Sequence, residues 1–153
     1  MVAHSLGGLA ALLAAGGDEP MPHAYPFQAF VLVATPNRFS EVTRKVGARL
    51  GLSSAAQRAY EQRLERLARR KLADFTGANL LAATERPALL LHSRDDAEVP
   101  FDDGQEIAAS CALAELRPFD GLGHRKVLYA PPLIHAAVDY LAFSRQRTRP
   151  GVG

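Results

Sequence analysis

Three short segments of this chain carry residues that together could perform nucleophilic chemistry, in the order serine, carboxylate, histidine. Ser5 lies in Ala3-His4-Ser5-Leu6-Gly7-Gly8 and is followed at once by the apolar, helix-forming run Leu9–Ala15. A serine with small residues two positions to either side, at the head of such a run, fits a sharp strand-to-helix turn that presents its hydroxyl. The spacing predicts that side chains larger than those of Ala3 and Gly7 would collide in that turn. At the head of the helix the backbone N–H of Leu6 is placed to meet a developing oxyanion. Asp95 and Asp96 stand in His92-Ser93-Arg94-Asp95-Asp96-Ala97-Glu98-Val99-Pro100, and His124 closes Asp120-Gly121-Leu122-Gly123-His124. A serine hydroxyl becomes a useful nucleophile when a histidine takes its proton, and a carboxylate holds that histidine in the right tautomer.

Each of these residues has a plainer reading. Ser5 could be a helix N-cap, the aspartates could punctuate turns, and His124 could be a solvated loop residue. Asp102 and Asp103 are expected only to favour a helix start. His4 is read as structural support beside Ser5, and His92 as a satisfied histidine in an apolar strand. His23 and His135 have no partner spacing, no pair of histidines is spaced for a metal, and no cofactor is implied. Cys111 precludes an internal disulfide and is expected to be a buried structural thiol.

The elements that would position these residues alternate along the chain. Phe27–Ala34, Pro87–Ser93 and Ala112–Phe119 read as strands, the first two as buried apolar runs. Leu6–Ala15, a helical block from about Phe39 to Leu81, Phe101–Ser110 and Pro132–Ser144 lie before, between and after them. Strands separated by helices predict an α/β architecture with a parallel sheet and flanking helices. An acid after a parallel strand lies where open α/β sheets place their sites. The domain is expected over 1–145, with 146–153, basic and Gly/Pro-rich, as a disordered tail.

At 153 residues and 48% apolar content the chain can build one core. A net charge of +2 gives no reason to expect a nucleic-acid partner. No stretch has the length of a membrane span, and no lysine or arginine precedes the first apolar run, which argues against a signal sequence. A cytoplasmic location is the expectation; oligomeric state is not legible. The block Arg44–Lys71 holds nine basic residues against two glutamates. Ala56, Tyr60, Leu64 and Leu67 make an apolar stripe within it, so a helix with a solvated basic face and a Glu65–Arg69 pair is the simpler reading. Recognition of an anionic substrate group, or of an anionic membrane surface, is the functional one.

Taken together, the segments HSLGG, DDAEVP and GLGH make the chain resemble the C-terminal half of the serine hydrolases of the α/β-hydrolase fold. The resemblance spans nearly the whole chain except 37–83, where that family usually builds a lid, so a lid-like helical insertion is expected there. It implies Ser5 as nucleophile, His124 as general base and then acid, Asp96 as the group that orients His124, and Leu6 N–H as an oxyanion donor. It selects Asp96 over Asp95 because the family's acid stands three residues before Val-Pro. The implied activity is cleavage of a carboxylic ester or thioester of a small molecule. Transfer of the acyl group to another acceptor, cleavage of an amide or carbon–carbon bond, or a non-catalytic fragment serving as an interaction module stay open. The family's second oxyanion donor comes from a loop after the third strand of its sheet. Because this chain opens inside the elbow strand, it is expected to be truncated and weakened in catalysis, with an unpaired apolar edge at Phe27–Ala34.

Overall fold

Continuous apolar runs, unlike alternating ones, require cover on both faces of a sheet, and the computed structural model of the chain supplies it. The structure describes residues 1–16 and 24–147, with side chains to 144. Four parallel strands lie in sequence order: β1 (Val2–His4), β2 (Phe30–Val33), β3 (Ala88–Ser93) and β4 (Ala114–Phe119). Their register places Ala3 beside Leu32, Leu32 beside Leu90 and Leu90 beside Leu116.

Side chains two apart along a strand share a face, and the two faces carry separate cores. Phe30, Leu32 and Leu90 pack with Leu9 and Leu12 of helix α1 (Leu6–Gly16), Leu81 of α4 (Gly77–Thr84) and Ile107 of α5 (Phe101–Ala109). Val31, Val33, Leu89 and Leu91 pack on the opposite face with Val127 and with Leu133 and Ala136 of α7 (Pro131–Arg147). Every residue of β2 and β3 is buried.

β2 is shorter than the apolar run that encodes it. Pairing begins where Phe30 N–H donates to Pro87 O, and Phe27 packs on the core from outside the sheet. The unpaired edge expected at 27–34 is not there: β1 flanks β2, and the edges of the sheet among the described residues are β4 and β1, where Val2 is 53% exposed.

The expected helical block after Asn37 divides into α2 (Phe39–Arg49), α3 (Ser54–Ala68), a single 3₁₀ turn (Leu72–Asp74) and α4. Gly51, at φ +65°, ends the first and Ser53 caps the second by accepting Ala56 N–H. Arg69 closes α3 in the left-handed region without a glycine. Leu80 and Leu81 place α4 in the core, so the part standing outside the sheet and its helical layers is 38–76. Its two ends are stapled together. Arg38 pairs with Thr76, Gly77 N–H donates to Asn37 O at 2.7 Å, and Ala78 N–H donates to Asn37 Oδ1 at 2.9 Å.

α7 runs on to Arg147, so the first two residues of the expected tail are helical, and the remainder of that tail falls outside the described residues, as does His23. No helix among the described residues is long and apolar enough to cross a membrane.

Candidate functional site

All four strands end at one edge of the sheet, and the sequence-expected residues leave from those ends. Ser5 follows β1, Asp95 and Asp96 follow β3, and His124 follows β4 in a short helix, α6 (Gly123–Lys126). Ser5 has φ +53°, a left-handed backbone that a serine adopts only under constraint. Two hydrogen bonds impose it: Ser5 N–H donates to Val33 O at 2.9 Å, and Ser5 O accepts Gly8 N–H at 2.9 Å. The crowding expected at Gly7 is absent, since a Cβ there would meet nothing within 4 Å. It falls on Gly8, where a Cβ would stand 2.1 Å from Thr35 Oγ1 on the strand-end loop next door. The elbow is tight against the loop that follows β2.

The three side chains meet. Ser5 Oγ lies 3.0 Å from His124 Nε2, and His124 Nδ1 lies 2.8 Å from Asp96 Oδ2. With Asp96 as acceptor, the tautomer that satisfies this chain carries its proton on Nδ1 and leaves Nε2 to accept the serine hydroxyl. The Asp96 side chain is fully enclosed and that of His124 is 9% exposed. Asp96 Oδ1 accepts the N–H groups of Glu98 at 2.8 Å and Val99 at 2.9 Å, which fixes the plane of the carboxylate. His92 lies beneath, 1% exposed, with Nε2–H donating to Val99 O at 3.1 Å and standing 3.6 Å from Asp96. It is satisfied, as its place in an apolar strand suggested, and it also braces the acid loop.

His4 donates from Nε2 to the carbonyl of His124 at 3.0 Å, and the two rings lie 4.7 Å apart. Burial holds its pKa below the ordinary imidazole value, which favours the neutral ring of His4 beside His124.

Sequence reasoning missed several contributors. Asp95 Oδ1 gathers Ser93 Oγ–H and the N–H groups of Gly121 at 2.9 Å and Gly123 at 3.3 Å. These bonds, the first of them foremost, hold its pKa below the usual carboxylate range. The two glycines have φ of +74° and +56°, in the left-handed region that glycine adopts readily. Asp103 does more than start a helix. It is 4% exposed, accepts Asn37 N–H at 3.0 Å and faces Arg38 at 3.5 Å. Cys111 is only partly buried, with Sγ–H directed to Arg86 O at 3.9 Å. Glu65 is bound to Lys71 at 3.0 Å and to Leu72 N–H at 3.1 Å.

A cleft of about 410 Å³ opens over Ser5 and His124, walled on the far side by Val42, Lys45, Val46 and Arg49 of α2. A second, apolar cavity of about 390 Å³ lies between α1 and α3 and shares Leu6 with the first.

No family model matches the sequence, and neither does any curated protein. Solved structures do match the fold. The protein BpoC of Mycobacterium tuberculosis H37Rv is 16% identical with a TM-score of 0.59, over 94% of this chain and 66% of that one. An esterase domain from Rhodothermus marinus is 18% identical with a TM-score of 0.59, over 94% and 60%. The thermophilic esterase Est2 of Thermogutta terrifontis, solved with butyrate bound, is 19% identical with a TM-score of 0.62, over 92% and 54%. The chain thus spans 54–66% of the length of these structures. Its fold is that of the α/β-hydrolases, represented by four consecutive parallel strands and the helices that cover them.

Proposed function

We propose that the chain carries the catalytic triad of a serine hydrolase that cleaves a carboxylic ester or thioester of a small molecule. The observation behind this reading is the unbroken chain Ser5 Oγ–His124–Asp96, at 3.0 and 2.8 Å, with the serine held at φ +53°. Ser5 Oγ attacks the carbonyl carbon as its proton passes to His124 Nε2. The resulting imidazolium is stabilised by Asp96, whose orientation the Glu98 and Val99 N–H groups fix. The tetrahedral oxyanion forms at the N-terminal end of α1, where the Leu6 N–H has no partner within the helix. His124 then returns the proton to the leaving alcohol or thiol. Water repeats the sequence on the acyl-enzyme and releases the acid.

Helix α2 walls the cleft opposite the triad, and we assign segment 38–76, to which it belongs, the role of lid.

The direct test is covalent. A fluorophosphonate probe should label the protein at Ser5, and Ser5→Ala and His124→Ala should each suppress the labelling. Labelling that persists in Ser5→Ala would remove the serine from its role.

A further inference from the structure

We infer that the cleft selects esters that carry a second, anionic group, a carboxylate in the simplest case, bound by Lys45 and Arg49 of α2 together with Arg125. This deepens the hydrolase reading and depends on it for the identity of the reacting end.

Of the nine basic residues in Arg44–Lys71, only Lys45 and Arg49 line the cleft that holds Ser5 and His124. They are four residues apart and therefore share one face of α2. The opposite face of that helix is locked. Thr43 is buried, and Gly47 packs so closely on α3 that a Cβ would stand 1.6 Å from Gln57 Oε1. Gln57 is itself held by Glu61 Oε1 at 2.6 Å. The basic pair is thus directed over the cleft by packing and does not merely form a solvated face.

Charge is distributed unevenly along the cleft. At the end beside the acid loop, Lys45 Nζ donates to Glu98 O at 2.6 Å. Arg49 and Arg125 stand 3.8 and 3.5 Å from the Glu98 carboxylate. Two guanidiniums face this one carboxylate, and the Lys45 ammonium sits on the backbone carbonyl of the same residue. At the other end the single cation Arg38 pairs with three carboxylates, Glu41, Asp103 and Glu106. The cleft therefore has a positive end next to His124 and a negative end beyond it. Arg49 and Arg125 have side chains 75% and 77% exposed, so most of their donors are open to a ligand. A guanidinium offers five donors in a planar fork that suits a carboxylate. A neutral ester gains nothing from this arrangement, whereas an ester with a free carboxylate can bridge from Ser5 to the positive end.

The test compares two esters of equal chain length, 1-naphthyl hexanoate and the 1-naphthyl monoester of adipic acid. Binding of each to Ser5→Ala is measured by calorimetry, so that turnover is not required. The adipate ester should bind about tenfold more tightly at low salt, the scale of one charge-assisted contact, and lose most of that advantage at high salt. Lys45→Gln combined with Arg49→Gln should erase the preference. Arg58→Gln combined with Arg63→Gln, which removes the same charge from exposed positions on α3 outside the cleft, should keep it. Equal affinity for the two esters overturns the inference. So does a preference that survives the α2 double variant, or one lost equally in the α3 variant. Fluorophosphonate labelling without any preference would leave the hydrolase reading standing and this one refuted. Preference without labelling would do the reverse.

Discussion

Asp95 and Asp96 are adjacent, yet they hold opposite sides of one loop. Asp96 Oδ2 meets the ring of His124 at 2.8 Å, while Asp95 Oδ1 meets the backbone N–H of Gly121, three residues before that ring, at 2.9 Å. One carboxylate orients the base and the other anchors the segment that carries it.

This division predicts unequal effects of the same substitution. Asp96→Asn should lower kcat by several orders of magnitude, since an amide can hold His124 in the wrong tautomer, a loss that reaches about 10⁴ in a related triad. Asp95→Asn keeps an acceptor for the Gly121 and Gly123 N–H groups and should cost about tenfold or less, the scale of one weakened hydrogen bond. Steady-state rates of both variants on a neutral ester at one pH decide it. A larger loss for Asp95→Asn would exchange the two roles.

Much of this arrangement was legible in the sequence, for identifiable reasons. The run Leu89-Leu90-Leu91 reads as a strand covered on both faces because no polar residue interrupts it, and the structure buries all three. Ser5 and His124 stood out because their small and glycine neighbours mark special backbone, and both positions have left-handed residues in or beside them. What did not show was long-range pairing. Nothing local says that Asn37 clasps residues 77 and 78, or that the cramped glycine of the elbow is Gly8 because Thr35 lies across from it. The end of α3 was hidden for a different reason: Arg69 takes a conformation that sequence reasoning reserves for glycine.

The two elbow glycines should respond in opposite directions. Gly7→Ala adds a methyl group into open space within a helix and should be neutral or stabilising by up to about 1 kcal/mol. Gly8→Ala must displace Thr35 and should cost about 1–3 kcal/mol, as overpacking does. Chemical denaturation of both variants provides the comparison, and equal stabilities would contradict the packing described at Thr35.

Asn37 should control how firmly segment 38–76 is held. It is 3% exposed, and its side chain accepts Ala78 N–H while donating to Glu106. Asn37→Ala leaves the Ala78 N–H without that acceptor, a loss of about 1–3 kcal/mol. Limited proteolysis should then cut within 38–76 at lower protease concentration than in the unaltered chain, while cleavage elsewhere changes less. Uniform acceleration at all sites would show that Asn37 supports the whole fold and not the clasp.

Asp103 should make stability depend on pH in a direction opposite to that of a salt-bridged surface acid. Burial raises its pKa above the ordinary carboxylate value, and the Asn37 N–H and Arg38 offset this only in part. Glu41 and Glu106 lie close enough to add to the rise. A carboxyl group that binds its proton more tightly when folded contributes stability that is complete below its unfolded pKa, about 3.9. That contribution is lost as pH rises through the higher, folded value. Asp103→Asn keeps an acceptor for Asn37 N–H and abolishes the titration. The melting temperature of Asp103→Asn minus that of the unaltered protein should therefore increase as pH is raised from the unfolded pKa through the folded one, and level off above it. Thermal melts of both proteins at matched ionic strength across that range measure this difference. A difference that stays flat would mean that Arg38 and the Asn37 N–H balance the burial of the charge, and one that falls with rising pH that they outweigh it.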